Sequence, residues 1–469
     1  MHIIADLQLH SHFSRAVSPA MTIPNIAAWA ARKGIGLVAT GDWMHPIWFR
    51  EIERDLEEMG NGLLRLKKDL SLRAERSNLS PKGIAASPTA PRNDTVFPAP
   101  LFLLATEVSS IYSQGGKVRR VHTLIWVPTI QSARKISQEM TKRGCNLMSD
   151  GRPIVGLSCI HIAELVLSIE PKALIVAAHC WTPWFSVYGE KGGFDSLDEA
   201  FGPYAKHIYA IETGLSSNPA MNWRIKELDN RAIVSFSDAH SGPKLGREAT
   251  VFDVPEISYE HIYQAIKSNS HIAYTIEFYP EEGKYHWSGH RACGIRWGPE
   301  DTKVKGTTCP VCGKPLVQGV VQRVEALAGR SEADLKLVSM RQRVNASETE
   351  IIMTKSAAFP SRPPFVMLVP LQEIISECIG SPVGSKKIVP IYDALVALPG
   401  GEFGVLLTAT IEEITRVAGE RIAEGIDKVR RGDLVIDPGY DGVFGVVKLW
   451  QEGEEKPLVD KGKEQLSLL

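Results

Sequence analysis

The chain of 469 residues predicts an α/β fold built on a parallel sheet, open or closed into a barrel. Two observations carry that prediction. Over the first 280 residues short apolar runs alternate with amphipathic stretches. Nearly every apolar run then ends in an imidazole or a carboxylate. In parallel α/β folds the C-terminal strand ends share one face, and catalytic groups gather there.

The elements follow in order. Residues 3–9 read as a strand. Thr22, with Pro24 just behind it, starts a helix carrying Ile26, Ala27, Ala30 and Ala31, which Gly34 ends. Residues 35–40 form the next strand, and runs of the same kind stand at 101–106, 121–127, 173–178, 207–211 and 232–236. Between 71 and 100 lie five Pro, four Ser and a single aromatic, Phe97. That composition buries little, so the segment reads as an inserted flexible loop in a barrel unit of residues 1–280. From 281 to 324 histidines, cysteines and glycines crowd into a stretch too short for an apolar core of its own, which predicts a zinc-binding module. Residues 325–450 read as a mainly helical C-terminal domain, with helical patterns at 323–328, 371–379 and 410–429 and connectors at Pro360, Pro363 and Pro364. Residues 451–469 form a charged, flexible tail.

Composition narrows the function. An apolar fraction of 44% and a charged fraction of 23% are those of an ordinary globular protein. Lys plus Arg number 53 and Asp plus Glu 54, so any grip on nucleic acid must be a local patch. No run of 18 apolar residues predicts a membrane span, and Asp6 stands where a signal peptide would be apolar. A cytoplasmic location is expected. Three of seven cysteines fall between 293 and 312, which points to a metal site rather than disulfides.

The strongest signal is the set of ligand-type residues. His10 and His12 end the first strand, two apart and therefore on one face. Asp42 follows the second strand, Glu107 the third, His179 the 173–178 run and Glu212 the 207–211 run. Asp238 and His240 follow 232–236, again two apart, while His122 stands at the start of its run and breaks the pattern. Imidazole and carboxylate without thiolate suit zinc, manganese, iron or magnesium. The set exceeds what one tetrahedral ion uses, so two or three divalent ions are expected. Such ions clamp the attacking and leaving oxygens of a phosphoester displacement. A single histidine here reads equally well as a satisfied core side chain, but burying the whole set unpartnered would be costly. His161, His207, His261 and His271 read as structural, and His45 as a substrate or supporting contact.

In the zinc segment, His286-x3-His290-x2-Cys293 precedes Cys309-x2-Cys312 by 15 residues. Cys293, Cys309 and Cys312 need a histidine to complete a tetrahedral structural zinc. His290 is the choice, because His-x2-Cys matches a knuckle's loop length, with His286 as the alternative.

Taken together, His10-x-His12, Thr40-Gly41-Asp42, Glu107, His122, His179 and Ser237-Asp238-Ala239-His240 resemble the PHP (polymerase and histidinol phosphatase) family of metal-dependent phosphoesterases. Three further stretches are similar to the endonuclease Q branch: His179-Cys180-Trp181-Thr182-Pro183-Trp184-Phe185, Glu212-Thr213-Gly214-Leu215-Ser216-Ser217, and residues 237–247. The resemblance covers residues 1–330 and continues more weakly towards 450, while the 71–100 insert departs from it. It implies a distorted (β/α)7 barrel of PHP type, a two- or three-metal site and a zinc element beside the barrel. It also implies nicking of double-stranded DNA on the 5′ side of deaminated bases (uracil, hypoxanthine, xanthine) or abasic sites. On this reading His10, His12, Asp42, Glu107, His122, His179, Asp238 and His240 hold the catalytic metals, zinc with magnesium or manganese as alternatives. Contacts to DNA are expected from His45, Arg119, Arg120, Trp181, Trp184, Phe185, Glu212, Ser216, Lys244 and Arg247. A base extruded into a pocket would meet the loops after His179, Glu212 and Asp238. The terminal Gln465, Leu466, Ser467, Leu468 and Leu469 resemble a sliding-clamp binding peptide. Two other readings stay open: a phosphatase for a small phosphomonoester, and a non-catalytic lesion-binding scaffold.

Overall fold

The structure, a computed structural model, describes residues 1–68, 99–343, 350–451 and 453. The 71–100 insert, save its last two residues, and the Gln465–Leu469 peptide lie outside the described residues.

The barrel grows outward from its first strand. His2–Asp6 pairs in parallel with Leu37–Ala39, which pairs in parallel with Leu101–Gln114. Lys117–Val127 then folds back antiparallel on Leu101–Gln114. Leu174–Ala177 runs antiparallel to Lys117–Val127 and parallel to Ala210–Glu212, and Ala232–Val234 continues in parallel. The circle closes beyond the first and last of these strands. There Leu9 bridges Ala239 in parallel and the His10 amide donates to the Ala239 carbonyl at 3.0 Å.

One of these strands therefore runs against the rest, where the sequence pattern suggested a parallel sheet. The cause is local. Only Gly115 and Gly116 join Leu101–Gln114 to Lys117–Val127, both at positive φ (62° and 72°). A two-residue loop of that hand makes a hairpin, whereas a parallel crossover needs a dozen residues or more. The reversal also accounts for His122, which lies midway along the reversed strand opposite Ser109, two residues beyond Glu107, and so comes to the face where the neighbouring strands end.

Outside the circle, Ala249–Asp253 lies antiparallel against His2–Asp6, and Ile272–Glu277 antiparallel against Ala249–Asp253. The sheet then continues into the C-terminal region. Phe365–Met367 pairs in parallel with Ile272–Glu277, and Glu350–Ser356 and Leu337–Arg343 follow antiparallel. Between 328 and 367 the regular elements among the described residues are thus the strands Leu337–Arg343, Glu350–Ser356 and Phe365–Met367 and one short 3-10 turn, where a mainly helical domain was expected, and the expected boundary at 325 falls inside the helix Val320–Leu327. Helices follow at Leu371–Ile379, Ile388–Val396, Gly401–Leu407, Ile411–Ala418 and Glu420–Arg431. The single helix expected over 410–429 is broken at Gly419, whose φ of 85° and ψ of 166° only glycine adopts freely.

One apolar core runs from Ile3 through the C-terminal helices to Trp450. Ile23–Lys33 buries Ile23, Ile26, Ala27 and Ala30, and its last residue reaches across to Glu402 with an ion pair of 2.7 Å. Gly34 ends that helix at φ 82°. Among the described residues no single helix is long and apolar enough to cross a membrane. The bent pair Ile388–Val396 and Gly401–Leu407 comes nearest and is largely core, with the Tyr392 hydroxyl donating to Glu402 at 2.7 Å.

Candidate metal centre and nucleic-acid face

At the mouth of the barrel the strand ends deliver two adjoining groups of ligand-type side chains. His10, Asp238 and His240 form one; Glu107, His122 and His179 form the other. Glu107 joins them. Its Oε2 lies 3.1 Å from His10 Nε2, which is equally close to Asp238 Oδ1. Its Oε1 meets His122 Nδ1 and stands 3.5 Å from His179 Nε2.

The four imidazoles are held alike. His10 has Nδ1 on Asp42 Oδ1 (3.0 Å), and His179 has Nδ1 on Thr182 Oγ1 (3.0 Å). His122 has Nε2 on Ser109 Oγ (3.1 Å), and His240 has Nδ1 on the Asp238 carbonyl (2.8 Å). In each ring one nitrogen is tied to a protein oxygen and the other is left for the centre, the arrangement that fixes the tautomer of a metal-binding histidine. Within the centre, His10 Nε2, Glu107 Oε1 and Asp238 Oδ1 are buried and, although they stand this close to one another and to their neighbours, none makes a well-directed hydrogen bond. Leaving such atoms unsatisfied costs about 1–3 kcal/mol each, more where charged. Cations among them would remove that cost, and imidazole with carboxylate suits zinc, manganese or magnesium. The residues fit metal.

Electrostatics agree. Burial opposes charge on His10, yet Asp42, Asp238 and Glu107 around it raise its pKa well above the ordinary value. Glu107 is held well below its usual range against its own burial by His122, Arg152 and His10. Burial pushes the His122 pKa down to about 4, against the opposing pull of Glu107.

Backbone strain is concentrated here. Asp42 (φ 46°), His179 (φ 27°) and Asp238 (φ 46°) all occupy the left-handed region. Each such residue costs on the order of 1–3 kcal/mol and persists only where its surroundings dictate it. Close backbone approach does the rest. A Cβ on Gly214 would fall 2.4 Å from His179 Cβ, and one on Gly151 would fall 2.4 Å from Asp42 Oδ2.

Two of the eight expected ligands stand apart. Asp42 spends Oδ1 on His10 and Oδ2 on the Ser11 amide (2.6 Å), Ser11 Oγ (2.7 Å) and Ser14 Oγ (2.8 Å). It orients His10 and has no oxygen turned to the centre. His12 has Nδ1 on the Met21 carbonyl (3.2 Å) and Nε2 3.9 Å from Glu51. Its spacing from His10 implied one face of a strand, but the strand has ended and His12 sits in a turn.

Several expected DNA contacts are committed elsewhere. Trp181 is 1% exposed, stacks on Tyr188 (4.8 Å) and donates its indole N–H to Asn222 Oδ1 at 2.7 Å. Arg119 is buried between Glu199 (2.7 Å) and the Phe194 ring (4.0 Å). Glu212 is buried with Oε2 accepting from the His179 amide at 2.6 Å, and burial raises its pKa well above normal. His45 caps Pro46–Asp55 and stacks on Phe13 at 4.3 Å. Arg247 braces the Ser237 carbonyl (2.8 Å), and Lys244 pairs with Glu373 (2.7 Å). These side chains build the site instead of facing a ligand. Phe185 lies against His122 with ring centroids 4.8 Å apart. Trp184 is 41% exposed, edge-on to Tyr285 at 5.1 Å. Ser216 lines a small cavity with Pro183, Lys284, Tyr285 and His286. Arg120 is half-buried, its amide donating to the Gly192 carbonyl at 2.9 Å.

Sequence reasoning missed four groups. Asp6 accepts from the Ser237 amide (3.0 Å), Ser237 Oγ (2.6 Å) and the Gly246 amide (2.9 Å), and burial lifts its pKa to about 6. Gln8 donates to Glu107 Oε2 at 2.8 Å. Both precede His10 at a period of two, a signal that was available. Ser109 lies two residues beyond Glu107 and was hidden by the assumption that its strand ended at 106. Arg152, on a loop with no pattern, brings its guanidinium to 3.7 Å from Glu107 Oε1.

In the second module His290, Cys293, Cys309 and Cys312 bring their ligand atoms within 4.8 Å of one another. Burial works against thiolate at Cys309, but the Cys312 and Val311 amides draw its pKa down to about 7. His286 is outside this group, and burial lowers its pKa to about 4.

Comparison with known proteins places these features. A family model described as the MJ0043 C-terminal domain matches residues 370–433. An uncharacterised protein of Methanocaldococcus jannaschii, MJ0043, is 33% identical over 277 residues, which is 57% of this chain and 31% of that protein. The chain thus spans less than a third of that relative's length. Uncharacterised protein YqxK of Bacillus subtilis is 29% identical over 337 residues, 70% of this chain and 74% of that one. The crystal structure of the lesion-specific endonuclease PfuEndoQ from Pyrococcus furiosus is similar at a TM-score of 0.74 and 30% identity, covering 96% of this chain and 95% of that one. Endonuclease Q in complex with a 27-mer duplex bearing an abasic lesion is similar to the same degree, covering 98% and 100%.

Proposed function

The chain belongs to the endonuclease Q family, and from that premise we propose that it is a metal-dependent DNA repair endonuclease. Its reaction is hydrolysis of the phosphodiester 5′ to a deaminated base (uracil, hypoxanthine or xanthine) or an abasic site. The observation that carries this reading is the pair of ligand groups joined by Glu107 at the barrel mouth.

Divalent ions, two or three, would be held by His10, Asp238 and His240 on one side and Glu107, His122 and His179 on the other; they supply Lewis-acid polarisation of the phosphate and lower the pKa of water. The chain's own residues do the rest. Asp42, Ser109 and Thr182 fix the rings of His10, His122 and His179, so no reorganisation is needed when substrate arrives. Gln8 holds Glu107 Oε2 in place. Among the described residues Arg152 brings a guanidinium to this centre without being a ligand, and we assign it to a non-bridging phosphate oxygen. Phe185 covers His122 and limits water on that side. The pocket for the extruded base lies among the loops after His179, Glu212 and Asp238, with Ser216 at its rim. A structural zinc would be held by His290, Cys293, Cys309 and Cys312.

We divide the labour along the chain accordingly. Residues 1–280 cut, while the zinc module of 281–324 and the strand-and-helix region of 325–450 hold the duplex. The Gln465–Leu469 peptide as a sliding-clamp ligand is a proposal from sequence alone.

A gel assay on a duplex with one uracil or hypoxanthine tests the function. Metal-dependent nicking just 5′ of the lesion is expected. Hydrolysis of a generic phosphomonoester without nicking would make the chain a phosphatase instead. Lesion binding without cleavage would make it a scaffold.

A further inference from the structure

We propose that the loop joining Val435–Asp437 to Val446–Lys448 is a wedge for duplex DNA, with Phe444 entering the base stack beside the lesion; this rests on the nuclease reading above. Phe444 is 67% exposed, more than any other large aromatic among the described residues. Val443, Ile436 and Val446 beside it are also exposed, which makes a small apolar tip.

The tip is rigid. Its backbone is zipped to the start of the zinc module: Gly439 N to Glu281 O (2.8 Å), Trp287 N to Gly439 O (2.9 Å), Gly442 N to Lys284 O (2.9 Å) and Gly445 N to Glu282 O (3.1 Å). Asp441 adds a bond from the Arg291 amide at 2.7 Å. The two chains run so close that a Cβ on Gly445 would fall 2.0 Å from the Glu281 carbonyl oxygen. An exposed phenylalanine on such a braced loop contributes nothing to the core, and its ordering cost is met before any partner arrives.

Charge and position select the partner. Lys284 Nζ stands 4.4 Å over the Phe444 ring, and Arg291 lies against Gly442. Among the described residues no ion pair holds the Lys284 or Arg291 side chain. A cation laid on an aromatic tip suits phosphate flanking a base stack, and apolar wedges of this kind unstack base steps and kink the duplex. The tip is also continuous with the metal centre. Lys284 and Tyr285 share a cavity with Pro183 and Ser216, Tyr285 meets Trp184, and the next residue, Phe185, lies on His122.

The test uses the full chain with F444A and F444W. Single-turnover nicking is measured on a fully paired uracil duplex and on the same strand with uracil in a pre-opened bubble. F444A is expected to lose about tenfold or more on the paired duplex, which must be unstacked, and to stay within about twofold on the bubble. F444W should restore the paired rate. Equal losses on both substrates, or none on either, would overturn the wedge. In parallel, 2-aminopurine next to the lesion should brighten on binding wild type and not F444A. That signal is independent of cutting: if wild type nicks nothing but brightening still requires Phe444, the wedge stands and the nuclease reading falls. Unchanged brightening with F444A, together with binding of a protein partner lost in F444A, would make the tip a protein contact instead.

Discussion

Arg152 offers the most informative perturbation of the centre. Its loop reaches the site because Gly151 passes where any Cβ would strike Asp42 and Ser14. The guanidinium then stands 3.7 Å from Glu107 Oε1 with the side chain 22% exposed. Two unit charges at that separation interact by about 4 kcal/mol at the effective dielectric of a partly buried site. A phosphate oxygen taking the place of that carboxylate oxygen would gain a similar amount, reduced by solvent at the open side to about half. Removing one preorganised donor from a transition state typically costs about a hundredfold or more in rate. R152A should therefore lower single-turnover nicking about 100-fold at saturating metal, and R152K should recover part of it, because lysine keeps the charge but not the fork. Since Arg152 is a cation facing cations, R152A should bind metal at least as tightly as wild type. Nicking assays and metal titrations on the same preparations read both quantities. A wild-type rate would refute the assignment. So would joint loss of rate and metal, which would mean that Arg152 acts by holding Glu107.

Three more outcomes are expected. Burial raises the Glu277 pKa from 4.5 to about 7, so the folded chain keeps a proton that the unfolded chain releases. Its contribution to stability is complete below about 4.5 and is lost as pH rises through about 7. Urea unfolding of E277Q should show little change at pH 4 and a gain of about 3 kcal/mol at pH 8; a gap that does not widen with pH would contradict this. C309S should lose about one zinc per chain by elemental analysis and lower the melting temperature, with the barrel metals retained. W181A should destabilise the fold by about 3–5 kcal/mol, since the ring is core and Asn222 loses its indole donor. Its folded fraction should bind lesion DNA like wild type, and weakened binding at unchanged stability would restore Trp181 as a contact.

How far the sequence revealed this molecule depends on the kind of interaction. Side chains near strand ends obey a period of two and a shared face, so spacing alone singled out His10, Glu107, His179, Asp238 and His240, which the structure brings together in the two ligand groups. The same rule put His12 on the face of His10, but a turn after His10 ends the period and His12 stands apart from both groups. The antiparallel strand could have been inferred from Gly115-Gly116, and with it the position of His122. The hydrogen bonds that commit Trp181, Arg119 and Glu212 to the fold join residues far apart in sequence, to Asn222, Glu199 and the His179 amide. No local pattern encodes them. Aromatic and basic residues beside a ligand look the same in sequence whether they face solvent or core. Arg152 belongs to the same class, delivered by a loop with no periodicity.

The central claim is that the two ligand groups joined by Glu107 cut DNA with the help of metal. The most direct test is end-mapped nicking of a duplex with one hypoxanthine, by wild type and Asp238→Ala, after chelation and after adding back divalent metal. Stripped wild type should be silent and should regain cleavage 5′ of the lesion when metal returns. Asp238→Ala should bind the duplex but stay silent at every metal concentration. Cleavage by the stripped enzyme, or by Asp238→Ala, would contradict the account.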